Sequence, residues 1–192
     1  MSTRPKPYLT PQQYLEIERA AEFKSEYFNG EMFAMSGGSL NHARVAGDLF
    51  ASLHAQLRGQ RCEIASSDLR LRVTPEGLYT YPDIVVFCGK PQFGDDRTDT
   101  ITDATVIIEV LSPSTTNYDR GFKFEQYRGL KSLQDYIVIA QDRVHVEHNT
   151  RQGDAWLLKE TSDLNAVIEL PSIECSFRVA EAYARVDFGT EQ

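Results

Sequence analysis

The sequence predicts a mixed α/β or α+β domain built on a central sheet, and three observations carry that prediction. Two stretches, Asp83-Ile-Val-Val-Phe87 and Val106-Ile-Ile-Glu-Val-Leu111, are rich in β-branched residues and read as strands buried on both faces. The order of elements is helix and hairpin, then strands, then a helix, then further strands, which places helices around a sheet. The length of 192 residues fits one domain, spanning 1–192, with an N-terminal part over 1–60, a core over 61–140 and a C-terminal part over 141–192.

At the N-terminus, Thr10-Pro11 reads as a helix cap followed by proline at the first helical position, with Tyr14, Leu15 and Ile17 as the apolar side of a short helix to about Arg19. Asn29-Gly30 between Tyr27-Phe28 and Met32-Phe33 is a hairpin signal, because a type I′ turn needs positive φ at both centres; Phe28 and Glu31 then face each other. A longer helix is expected from about Leu40 to Arg58, with His42, Ala46, Leu49, Leu53 and Leu57 along one face. Strands follow at Cys62 to Ile64, Asp68 to Val73, Asp83 to Phe87 and Val106 to Leu111, the last two separated by a long acidic loop from Gly89 to Asp103. Asn117 to Leu130 reads as a helix with Asp119 and Lys123 at an i,i+4 spacing, and Ser112-Pro113-Ser114 as the turn that ends the preceding strand. Strands at Tyr136 to Ala140, Val144 to His148, Trp156 to Glu160 and Val167 to Leu170 precede a short helix from Val179 to Arg185.

Composition narrows the function classes. Hydrophobic residues make up 41% and charged residues 25%, values of an ordinary globular protein rather than a disordered one. No apolar run is long enough to span a bilayer, and Met1 to Pro7 lacks the apolar stretch of a signal peptide, so a cytoplasmic protein with no membrane partner is expected. Cys62, Cys88 and Cys175 are far apart with no CxxC pair and read as reduced core thiols. The net charge of −8 excludes a protein held on DNA by its overall field; a nucleic-acid contact would need a local basic patch or a metal.

The chemistry starts from Glu109. An ionised carboxylate in a buried strand costs several kcal/mol without a cation or strong hydrogen-bond donors. Asp83, behind Pro82 at the mouth of the other apolar strand, raises the same difficulty. On neighbouring strands the two would converge and repel unless a proton or divalent cation lay between them, and hard oxygen ligands suit Mg²⁺ or Mn²⁺.

Pro82-Asp83 followed by Glu109 resembles the PD-(D/E)xK core of restriction-endonuclease-like nucleases. More closely, NGE at 29–31, YPDIVVF at 81–87, IIEVLSPST at 107–115 and DRGFKFEQYRGL at 119–130 resemble, in that order, the Uma2 family of restriction-endonuclease-like proteins. The resemblance implies a restriction-endonuclease-like fold and a Mg²⁺- or Mn²⁺-dependent endonuclease acting on nucleic acid, DNA in particular, with Asp83 and Glu109 as metal ligands. It departs at Leu111, where the superfamily places a lysine; Lys123 on the following helix is the substitute, or else merely the surface partner of Asp119. Glu31 is either an added carboxylate beside the metal or an exposed charge next to a turn. His42 is either a base or phosphate contact or a hydrogen-bonded core histidine. Asp68 shares a strand face with Arg70 and Arg72 and reads as solvated.

His145 and His148 should point to opposite faces and so should not share a ligand. Ser112 and Ser114 have no base arranged beside them, which excludes a serine hydrolase. A catalytically silent, nucleic-acid-binding or regulatory module is the alternative that Leu111 and the acidic balance keep open. For double-strand cleavage a homodimer is expected, with its two sites facing a groove lined by Arg70, Arg72 or Lys123.

Overall fold

The computed structural model describes residues 8–75, 77–112, 116 and 118–189. Helix α1 (Pro11–Ala20) begins with a capping box in which Gln13 N–H donates to the Thr10 hydroxyl and Thr10 N–H donates to the Gln13 side chain. Its Tyr14 packs on Tyr27 and Tyr79, with ring centroids 5.0 and 5.4 Å away. Strands β1 (Ser25–Phe28) and β2 (Glu31–Ala34) form the expected hairpin, with Phe28 opposite Glu31 and positive φ at Asn29 (46°) and Gly30 (90°). Helix α2 (Leu40–Leu57) is capped by Ser39 and buries Val45, Leu49, Leu53 and Leu57, a stripe of four-residue steps.

The strands from β3 (Cys62–Ser66) onward divide between two principal sheets. One contains β4 (Arg70–Arg72), β5 (Tyr79–Thr80) and β7 (Thr100–Ile101) in the order β2-β1-β5-β4-β7. The other joins β3, β6 (Ile84–Cys88), β8 (Val106–Leu111), β9 (Asp135–Ala140), β10 (Val146–Gln152) and β11 (Ala155–Thr161) in the order β11-β10-β9-β8-β6-β3. Only the β8–β9 contact of this six-stranded sheet is parallel, and its crossover is a π-helix (Tyr118–Lys123) running into α3 (Phe124–Tyr127). The hairpin of β12 (Val167–Leu170) and β13 (Cys175–Arg178) leads into α4 (Val179–Ala182).

Alternation along the central strands feeds two cores. Ile84, Val86, Val106, Ile108, Ile137 and Ile139 pack toward α2 and α4, while Val85, Phe87, Ile107, Leu111, Tyr136 and Val138 pack toward α3 and the second sheet. Glu109 belongs by parity to the second face, beneath the crossover.

The mixed α+β architecture is thus the one the sequence predicts; the short strands β5 and β13 lie outside that prediction, and three further departures stand out. The expected continuous helix from Asn117 to Leu130 is a π-helix followed by one short α-helix, and Asn117 itself lies outside the described residues, as do Pro113 and Ser114 of the expected turn. The loop from Gly89 to Asp103 contains β7, which pairs in parallel with β4 and has no local signal. Cys62 and Cys88 are not reduced thiols: they face each other across β3 and β6 and form a disulfide, while Cys175 is a buried free thiol. A separation of 26 residues hid a pairing that only the strand register creates. Among the described residues no helix is long and apolar enough to cross a membrane.

Candidate functional site

The site forms where β6 begins and β8 ends. The two strands run antiparallel with Ile84 opposite Ile108, so one step further along the ladder Asp83 meets Glu109. Asp83 N–H donates to Glu109 Oε2 at 3.3 Å, and Asp83 Oδ2 accepts from Val110 N–H at 2.8 Å. The other Glu109 oxygen, Oε1, accepts from the Tyr127 hydroxyl at 2.8 Å and from Lys123 Nζ at 3.1 Å.

Glu109 is only 3% exposed, and this burial pushes its carboxyl up to about 8 against the opposing pull of Lys123. Burial alone would lower the Lys123 ammonium; Glu109, Glu26 and Asp119 outweigh it and hold it well above the ordinary lysine value. The distances explain why: besides Glu109, Lys123 Nζ lies 3.1 Å from Glu26 Oε1 and 3.4 Å from Asp119 Oδ1. The π-helix sets up this convergence by turning Asp119 and Lys123 inward together, and the Tyr136 hydroxyl from β9 donates to its Asp119 carbonyl at 3.0 Å. Burial likewise keeps the Tyr127 hydroxyl protonated, well above a free tyrosine, so it serves Glu109 as a donor.

The opposite wall comes from α2. His42 Nε2 is 3.2 Å from Asp83 Oδ2, and this hydrogen bond raises the imidazole above its ordinary value in spite of partial burial. Gly38 makes the placement possible, because a Cβ there would stand 2.8 Å from His42 Nδ1. Asp83, Glu109, Asp119, Lys123, Glu26 and His42 line one cavity of about 960 Å³ that extends along the start of α2 to Phe33, Phe50, Ser66 and Ser67.

The structure therefore brings Asp83, Glu109, Lys123 and His42 together. It leaves Glu31 on the exposed hairpin strand β2, outside the cavity lining. The hairpin carboxylate in the cavity is Glu26, fixed by the Thr80 hydroxyl on Oε1 and by the Tyr118 hydroxyl on Oε2 at 3.0 Å. Asp68 is exposed and paired with Lys24. Neither Arg70 nor Arg72 lines the cavity: Arg70 is buried between the rings of Tyr14 and Tyr81, and Arg72 donates to the Gly94 carbonyl at 3.1 Å. Burial of both faces of β1, which a local reading takes for an edge hairpin with a solvated charge, is what concealed Glu26. The one available signal was parity, since Glu26 shares a face with Phe28.

A second titratable cluster lies on β10 and β11, where His145, Glu147 and Glu160 place ligand atoms within 4.8 Å of one another. His148 is not part of it; its Nε2 lies 2.7 Å from Asp135 Oδ1.

Comparison with known proteins gives the family and the fold. Residues 11–182 match a family described as "Uma2: Putative restriction endonuclease". Two uncharacterized proteins of Synechocystis sp. (strain ATCC 27184 / PCC 6803 / Kazusa) are similar over most of their length. One, slr1290, is 40% identical over 96% of this chain and 96% of its own; the other, sll1609, is 38% identical over 84% and 92% respectively. Among solved structures, a putative nuclease of the DUF820 group from Anabaena variabilis ATCC 29413 superposes with a TM-score of 0.75 over 92% of this chain and 98% of that one, at 17% identity, and so shares the fold.

Proposed function

The chain belongs to the Uma2 family, and from that premise we propose that it is a Mg²⁺- or Mn²⁺-dependent phosphodiesterase acting on DNA. The observation that carries the reading is the meeting of Asp83 and Glu109 with Lys123 in one cavity. The donor set fits a hard divalent cation: both acids offer carboxylate oxygen, and Glu109 is a buried acid held up to about 8, so an added positive charge would return it to the carboxylate form.

In this reading Asp83 and Glu109 would hold the ion. When bound, the ion supplies Lewis-acid polarisation of the scissile phosphate and a water of lowered pKa. Water oxygen adds to phosphorus, the bond to the leaving oxygen breaks, the water proton passes to a base and the leaving oxygen takes up a proton. Lys123 offsets the charge that develops on the phosphoryl oxygens, standing in for the lysine that Leu111 replaces. Glu26 and Asp119 keep its ammonium aimed and charged, and His42, in contact with Asp83, supplies a group able to exchange a proton at the same wall. A two-fold dimer would be needed only to cut both strands of a duplex, and light scattering separates 21.7 kDa from twice that mass.

The test pairs metal binding with cleavage. Millimolar Mn²⁺ or Mg²⁺ should raise the melting temperature and support cleavage of labelled DNA, and Asp83→Asn and Glu109→Gln should abolish both effects. A metal-induced rise that persists in both variants would place the ion elsewhere. Metal binding at this site without cleavage of any DNA would instead favour the silent, regulatory reading.

A further inference from the structure

From the lining of the cavity we infer that its substrate is an unpaired DNA strand, not a continuous duplex; the inference rests on the phosphodiesterase reading and names the substrate of that site. Among the described residues four carboxylates line the cavity, Glu26, Asp83, Glu109 and Asp119, against two lysines, one histidine and no arginine. Both ammonium groups are already engaged. Lys123 is shared by three of the acids, and Lys24 donates to the Ser67 carbonyl at 3.0 Å, pairs with Asp68 and lies over the Tyr81 ring. Duplex binders neutralise on the order of 6–10 phosphates with basic side chains. The arginines expected to form such a groove are elsewhere, Arg70 buried under two tyrosine rings and Arg72 tied to a backbone carbonyl.

What the cavity offers instead is aromatic surface and neutral polar groups. Phe33 presents 47% of its surface and is the ring open for stacking; Phe50, which lines the cavity beside Ala46 and Gly47, has one face on His54, and Tyr118 is stacked between Phe122 and Lys123 and serves as wall. Ser36, Ser66 and Ser67 add hydroxyls and Gly37 an unshielded backbone. Aromatic faces stack any base whose π-face is free, and a paired, stacked base has none to offer. About 960 Å³ is at the upper end of small-molecule pockets and accommodates a short unpaired segment, not a double helix.

The experiment compares a 5′-labelled single-stranded oligodeoxynucleotide with its blunt duplex, with Mn²⁺ and the full-length protein. Cleavage and fluorescence anisotropy are read in the same samples. The single strand should be cut with a kcat/KM at least tenfold above the duplex, and its binding should follow salt with a log–log slope no steeper than about −2, as one to three phosphate contacts imply. Phe33→Ala should raise KM about tenfold with the melting temperature unmoved, and Phe33→Trp should restore it. Equal or preferred cutting of the duplex, or a Phe33→Ala variant that behaves as wild type, would overturn the inference while leaving the nuclease reading intact. If neither substrate is cut, the nuclease reading fails and anisotropy decides the inference: single-strand binding that depends on Phe33 supports it, and its absence overturns it.

Discussion

Two clusters of acids and bases sit on the same six-stranded sheet and differ in what they can do. The outer one, on β10 and β11, has His145 Nε2 at 3.1 Å from Glu147 and 3.5 Å from Glu160, and its Glu147 is also paired with Arg120. The inner one has Glu109 beneath the crossover, with Lys123 and Tyr127 on Oε1 and the Asp83 N–H, at 3.3 Å, on Oε2. Both offer a pair of carboxylates that could share an ion, Asp83 with Glu109 and Glu147 with Glu160. They differ in how much cationic charge the central carboxylate already holds: in the outer cluster an arginine and a histidine converge on Glu147 Oε1, while in the inner one a single lysine on Glu109 Oε1 is shared with Glu26 and Asp119. Burial adds the second difference, since the Glu160 side chain is 55% exposed and that of Glu109 4%.

The largest expected effect breaks the comparison at its chemistry. Asp83→Asn should lower kcat/KM on DNA about a hundredfold or more, whereas Glu160→Gln should stay within about twofold of wild type. Saturating Mn²⁺ should follow the same division: an ion at 100 times its Kd stabilises by about 2.7 kcal/mol, a shift that Asp83→Asn should lose and Glu160→Gln keep. The reverse pattern in a thermal-shift titration would assign the ion to the outer cluster.

Next in size is the removal of each cluster's cation. Lys123→Met leaves buried acids uncompensated and should cost roughly 3–5 kcal/mol, while Arg120→Met, which gives up a partly exposed pair, should cost about 1 kcal/mol or less. The inner loss should depend on pH. The folded-state value for Glu109 is raised, to about 8 in the intact protein, above an unfolded value near 4.5, so the favourable contribution is complete below about 4.5 and disappears as pH rises through the folded value. The Lys123→Met deficit, read from urea melts, should therefore stay level from pH 5 to about pH 7, where Glu109 is protonated in both folded proteins, and widen between about pH 7 and pH 9, where it ionises beside Lys123 but not without it. A deficit constant across that window would mean that Glu109 does not carry the charge in question.

How much of this was legible follows from which residues report locally. Asp83, Glu109 and Lys123 could be read because each breaks a local rule: an acid in a doubly buried strand, or a lysine one turn from an acid on an apolar helix. Glu26 breaks none, because a charge in a four-residue strand near a turn is ordinary until β5 and the π-helix cover it, and that covering depends on pairings 50 or more residues away in sequence. The helix-like pattern of 117–130 is real, but α-periodicity does not distinguish a π-helix, which keeps the same composition and changes only the turn. The Cys62–Cys88 bond and β7 were hidden for the same reason as Glu26, since register across the sheet decides both.

A smaller effect probes the wall that the inner cluster has and the outer lacks. Gly38→Ala would put a methyl 2.8 Å from His42 Nδ1, so the imidazole must swing away from Asp83. The variant should lose about as much activity as His42→Ala, roughly tenfold, and the double variant should lose little more than either alone, since both act through one contact. Fully additive losses would show that Gly38 acts on something other than His42.

The smallest effect tests whether the outer cluster is silent because Arg120 occupies it. Glu147 is the central carboxylate there, and Arg120 Nη2 and His145 Nε2 both bond its Oε1. Arg120 is otherwise poorly served, with its Nε buried and unpartnered, so Arg120→Gln should remove the competing charge at little structural cost. His145, Glu147 and Glu160 should then accept a divalent ion weakly. At an ion concentration equal to its Kd the gain is about 0.4 kcal/mol, or roughly 1–2 °C for a chain of this size. Isothermal titration of Arg120→Gln with Mn²⁺ should show this weak equivalent beside the one at Asp83 and Glu109, and the double variant Arg120→Gln/Asp83→Asn should keep only the weak one. A single equivalent in Arg120→Gln would mean that the guanidinium is not what keeps the ion out, and that solvent exposure of Glu160 alone separates the two clusters.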